Sequence, residues 1–127
     1  MSEFQFGLPN LPAAEDLDQD TLVKRENDEW TTVSGPQDID DSDAVGVADV
    51  SVSQGDDLSP KRGQLVNYVT ASEAITAGDR LEPAANGEVA VFDDTTAGNV
   101  CIGRAALDAE QDELVALEFA TLYKIAS

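Results

Sequence analysis

From Val45 onward the chain is a series of short apolar runs separated by turn residues, and that spacing leaves few architectures open. Val45, Val47, Val50 and Val52 alternate with small or polar residues, with a slip between Val47 and Val50 that predicts a bulge or two short strands. Gly63 to Ala71 carries Leu65, Val66, Tyr68 and Val69. Gly87 to Asp93 alternates regularly, with Val89, Val91 and Asp93 on one side and Glu88, Ala90 and Phe92 on the other. Val100 to Leu107 and Leu114 to Ile125 complete the set, and Trp30 to Val33 supplies one more candidate strand. The intervening turns are Gln54-Gly55-Asp56-Asp57, Ala77-Gly78-Asp79, Asn86-Gly87 and Ala97-Gly98-Asn99; Asn-Gly between strand-like runs is a hairpin signal. The expected fold is all-β, a small barrel or sandwich of short antiparallel strands. An echo links Thr76-Ala77-Gly78 to Thr96-Ala97-Gly98, and shared turn chemistry accounts for it as well as duplication does.

The first 28 residues read differently. Pro9 and Pro12 interrupt the start, charges dominate Glu15 to Glu29, and Leu17, Leu22 and Val23 show only a weak period. The reading is an extended arm over 1–28, mobile in the free protein, ahead of a β-rich domain over 29–127. The arm's Phe4, Phe6, Leu8 and Leu11 are apolar in a segment too short to bury them itself, which makes them candidate anchoring residues on a partner surface.

The chain has 127 residues, with 26 acidic and 7 basic, and a formal net charge of −19. Self-repulsion of that size opposes a compact state, and molar salt, with a Debye length of about 3 Å, removes most of it. An acidic chain with only Lys24, Lys61 and Lys124 as lysines resembles salt-adapted proteins of haloarchaea and their viruses. Clustered cations that would grip phosphates are missing, so nucleic acid is not an expected partner. No apolar run approaches the roughly 20 residues of a membrane span, and the start lacks the pattern of a signal peptide.

Little in the sequence suggests catalysis. There is no histidine, which removes the commonest general base and metal ligand. Cys101 lies in the apolar run Val100-Cys101-Ile102 and reads as a buried small hydrophobe. Asp38, Asp40 and Ser42 match the start of a calcium loop, but Asp43 stands where such a loop has glycine and Asp49 where it has glutamate, so an acidic linker is expected. No catalytic, cofactor-binding or metal-binding residue is assigned, and the chain is not read as an enzyme.

Several segments taken together carry a resemblance. They are Gly63-Gln64-Leu65-Val66, Ile75-Thr76-Ala77-Gly78-Asp79-Arg80-Leu81, Gly87-Glu88-Val89-Ala90-Val91, Val100-Cys101-Ile102-Gly103-Arg104-Ala105-Ala106 and Glu113-Leu114-Val115-Ala116-Leu117-Glu118-Phe119. Over about residues 60–120 this resembles the capsid cement (head decoration) proteins of tailed viruses. Two positions depart from the family pattern: Arg104 stands where a small or apolar residue is usual, and the turn Glu110-Gln111-Asp112-Glu113 lacks the usual glycine. The resemblance implies a structural virion protein, made in the host cytoplasm, that decorates and stabilises an icosahedral capsid by binding the major capsid protein, often as a homotrimer. The competing readings are another virion component (minor capsid, turret or tail-associated protein) and a halophilic cellular β-barrel domain that binds a ligand.

Overall fold

The computed structural model describes residues 8–39, 44–62 and 67–125. The strands are β1 (Leu11–Pro12), β2 (Thr21–Glu26), β3 (Glu29–Thr32), β4 (Val45–Ala48), β5 (Asp57–Leu58), β6 (Asn67–Thr70), β7 (Arg80–Pro83), β8 (Val89–Val91), β9 (Val100–Ala105) and β10 (Leu114–Lys124). They form a two-stranded sheet β1-β5, a three-stranded sheet β3-β2-β4 and a five-stranded sheet β6-β10-β9-β7-β8. Every ladder between strands is antiparallel. The sheets are open, so of the two expected all-β forms the molecule is a sandwich and not a closed barrel.

The largest difference from expectation lies at the start. Within the stretch expected to be an arm, β1 pairs with β5 and β2 is the middle strand of its sheet. Leu22 and Val23 are adjacent and both fully buried, because the sheet is covered on both faces. A strand buried on both faces loses its alternation, which is why the period there is weak. The β2–β3 hairpin turns at Asn27 and Asp28, with φ of 55° and 60°. Positive φ at both central residues is the twist-matched hairpin geometry, and Asn and Asp tolerate it. Trp30 on β3 is fully buried and donates its indole N–H to the Pro9 carbonyl at 3.1 Å.

Two hydrophobic clusters result. The smaller contains Ala13, Leu17, Val23, Trp30, Ala48 and Leu58, with Leu8 and Leu11 packed against it. The larger includes Val69, Ile75, Leu81, Val89, Val115 and Leu117, together with Leu22, Val45 and Val47 from the three-stranded sheet.

The chain is built twice on one plan. Leu17 and Val52 exchange two backbone hydrogen bonds at 2.9 Å, as do Ile75 and Ala109 at 2.8 and 2.9 Å. Ala13 N–H donates to Asp56 O and Ala71 N–H to Glu113 O, both at 2.8 Å. Asp20 N–H donates to Ala48 O at 2.7 Å, and Gly78 N–H to Ala105 O at 2.8 Å. Ala13 bridges Trp30 in parallel, as Ala71 bridges Val89. The smaller cluster is thus the first repeat's own core, and Ala71, Ile75, Leu81 and Val89 are its counterparts in the second.

The echo noted in the sequence is separate from this duplication. Asp79 N–H bonds Thr76 O at 3.0 Å and Asn99 N–H bonds Thr96 O at 3.3 Å, with Gly78 and Gly98 at φ of 92° and 91°. Shared turn chemistry explains it. At the 110–113 turn Asp112 takes the glycine's place, with φ of 70°, where the first repeat has Gly55 at 90°.

Candidate interaction surface

Among the described residues no catalytic constellation is assembled. Among the described residues no group of three or more Cys, Asp or Glu side chains is placed to hold a metal ion. Two hollows of about 180 and 230 Å³ are open to solvent, the first lined by Glu15, Asp16, Asp18, Thr21, Thr32 and Asn86. Both are smaller than the few hundred Å³ usual for a small-molecule pocket. Cys101 is buried and its thiol faces the Gly103 carbonyl at 3.7 Å.

The acids of the described chain are largely occupied in holding the fold. Glu15 accepts from Thr32 N–H at 3.0 Å and Thr31 Oγ1 at 2.8 Å, and these bonds lower its pKa. Glu73 accepts from Val91 N–H at 2.8 Å in the equivalent place on the second repeat. Each carboxylate caps an N–H of an edge strand, which blunts that edge against pairing.

Asp38, at the start of the tested calcium pattern, is similarly committed. It accepts from Ser34 N–H at 2.9 Å and pairs with Lys24 Nζ at 3.0 Å. Burial opposes its charge, but these partners outweigh it and hold its pKa below the ordinary value. Asp40 and Ser42 lie outside the described residues.

Glu82 is the counterpart of Lys24 in the second repeat. It is buried and accepts from Asp93 N–H at 2.9 Å and Asn99 Nδ2 at 3.0 Å. Burial raises its pKa. Lys24 ties down the loop after β3, and Glu82 ties down the loop after β8. The two loops then meet: Gln37 Nε2 donates to Asn99 Oδ1 at 3.1 Å, and Val100 N–H to Pro36 O at 3.0 Å.

Of the candidate anchoring residues, Phe4 and Phe6 lie outside the described residues. Leu8 and Leu11 pack on the smaller core of their own chain, Leu8 so closely over Gly46 that a Cβ there would stand 2.6 Å from Leu8 Cδ1. The surface that sequence reasoning did not assemble is the outer face of the five-stranded sheet. Arg80, Arg104 and Glu118 lie in one row across β7, β9 and β10. Arg80 donates to Tyr123 Oη at 2.6 Å, pairs with Asp94 at 3.2 Å and lies 5.4 Å from the Phe92 ring centroid. Tyr68, Leu114 and Tyr123 are exposed large side chains on β6 and β10. Arg and Tyr at an exposed sheet face are the composition of a contact surface. The sequence signal was Arg104, a charge at a position expected to be small or apolar.

An all-β sandwich with capped edges, open hollows and an Arg–Tyr face is the anatomy of a structural binding protein. A family model for phage cement proteins matches residues 10–118, and the chain belongs to that family. It is a family of structural capsid proteins and not of enzymes. The head fiber gp8.5 N base of bacteriophage phi29 has a similar fold, with a TM-score of 0.69 at 22% identity over 94% of this chain and 97% of that one. The comparison with curated proteins found no match. The protein is thus a phage capsid-associated structural component of the virion.

Proposed function

We propose that the protein decorates the outside of an icosahedral head, binds the major capsid protein and reinforces the joints between its subunits as a homotrimer. The observation that carries this reading is the cement-family match over residues 10–118. A closed cyclic oligomer suits a symmetric joint on a shell. Phe4 and Phe6 remain proposed anchors, since Leu8 and Leu11 are engaged in their own core. The net charge of −19 supports a salt-adapted host, and with it a haloarchaeal virus.

The test is a reconstruction of purified virions at subunit resolution. Density for the sandwich on the outer capsid surface, in contact with the major capsid protein, is the expected result. Density at the tail alone, or no copurification, would end the decoration reading. The fold match to the base of a head fiber favours one second reading, in which the domain seats a projecting appendage. Extra density rising from the sandwich would distinguish the two.

A further inference from the structure

The two repeats are packed head to tail, and such packing leaves one unused surface at each end. Leu22 on β2 stands opposite Val47 on β4, and both are buried. They belong to the larger cluster, not to the first repeat's own core. The second repeat covers them. Asp20 O accepts from Thr70 N–H at 3.1 Å, and Val33 O from Gly87 N–H at 2.8 Å. Gly87 sits so close to β2 that a Cβ there would stand 2.8 Å from Thr21 Cβ and 2.9 Å from Leu22 O. The first repeat therefore contributes the face of β2 and β4, and the second contributes β6 and the turn Ala85–Gly87.

Each of these surfaces has a counterpart that the intrachain contact does not use. The counterparts of Leu22 and Val47 are Arg80 and Arg104, again directly opposite each other across two strands. Arg104 is exposed, and among the described residues it forms no ion pair. The counterpart of the Ala85–Gly87 turn is the β2–β3 hairpin. There Glu26 and Glu29 stand directly opposite each other. Like charges facing across a ladder are destabilising. The chain keeps two such pairs, cationic on one unused surface and anionic on the other; Arg80 is paired with Asp94 and Glu26 with Lys24, each at 3.2 Å, which leaves Arg104 and Glu29 without an ion pair among the described residues.

We infer that Arg80 and Arg104 of one copy receive the Glu26–Glu29 hairpin of a second copy, repeating between chains the head-to-tail contact that joins the repeats within one. The contact brings the exposed Arg104 and the half-buried Glu29, which have no ion pair of their own among the described residues, to surfaces of opposite charge. A head-to-tail contact closes into a ring or runs on as a filament, and the chain's own duplication supplies the first step of either. The inference concerns the isolated protein and stands independently of any capsid.

The experiment measures the mass of the full chain by light scattering over a concentration and salt series. The wild type assembles. Arg80→Glu/Arg104→Glu and Glu26→Lys/Glu29→Lys each raise the dissociation constant of self-association about tenfold or more, with unchanged β-type circular dichroism. Mixed together, these two variants assemble again in alternation, one junction made by the native charges and the next by the reversed ones. Combining all four substitutions in one chain restores assembly. A wild type that stays monomeric at every concentration, variants that assemble as it does, or a four-fold variant that stays dissociated would each overturn the inference. An assembly that requires capsid protein would do so too, and would assign the arginine face to that partner instead.

Discussion

Deleting residues 1–28 should unfold the protein, whereas deleting residues 1–7 should not. The longer deletion removes β2, the middle strand of its sheet. It takes away Ala13, Leu17, Leu22 and Val23, all at or below 1% exposure. Full burial of a Leu or Val side chain contributes about 1.5–3 kcal/mol, so the three large ones together represent roughly 5–9 kcal/mol. The deletion also uncovers Trp30, Val45 and Val47 and removes Pro9, the acceptor for the Trp30 indole. A typical domain has about 5–15 kcal/mol of stability in total, so the loss is comparable to the whole. The shorter deletion leaves every described residue of both hydrophobic clusters in place. Urea unfolding followed by circular dichroism, at high salt, reads both. A 29–127 chain with a cooperative transition near that of the full chain would refute the reasoning and restore the picture of a dispensable arm.

Three further outcomes are expected. Asp112→Gly should raise stability by up to about 1 kcal/mol by relieving positive φ at a non-glycine residue, and Gly55→Ala should lower it by about the same amount; thermal melts in one buffer compare them. Raising salt from about 0.1 M to about 1 M shortens the Debye length from about 10 to 3 Å and should raise the melting temperature of a chain of net charge −19; an unchanged melting temperature would argue against salt adaptation. Because burial raises the folded pKa of Glu82, its contribution to stability is full below the unfolded pKa and fades as pH rises through the folded one; Glu82→Gln should therefore gain on the wild type between acidic and neutral pH, read as the difference between two urea midpoints.

Much of the sheet was legible because the second repeat alternates. The run Leu114 to Ile125 became β10, Val100 to Leu107 contains β9, and Asn86-Gly87 does mark the turn between β7 and β8. Val50, at the slip, is exposed between β4 and the bridge at Val52, so the run is two short pieces. What stayed hidden is the first repeat. Its strand β2 is buried on both faces, its hairpin turns on Asn27-Asp28 without glycine, and its acids resemble linker when read in line. Only the structure shows that Glu15 caps β3. The row of Arg80, Arg104 and Glu118 was equally hidden, because it is contiguous only across three strands.

The duplication escaped the sequence for a related reason. A backbone plan constrains what a side chain must do, not which chemistry does it. Lys24 and Glu82 occupy equivalent places with opposite charge, and each holds the loop that follows the next strand. Gly55 and Asp112 share a positive φ without sharing a side chain. Where the repeats agree in burial, as Ala13 with Ala71 or Leu17 with Ile75, each closes its own core. Where they differ, as Leu22 and Val47 against Arg80 and Arg104, one surface is covered inside the chain and the other faces out. Folding therefore accounts for the positions the repeats share. At the positions where one repeat is apolar and the other charged, Arg80 is held on the sheet by Tyr123 and Asp94, and the inferred association between molecules would give Arg104 its partner.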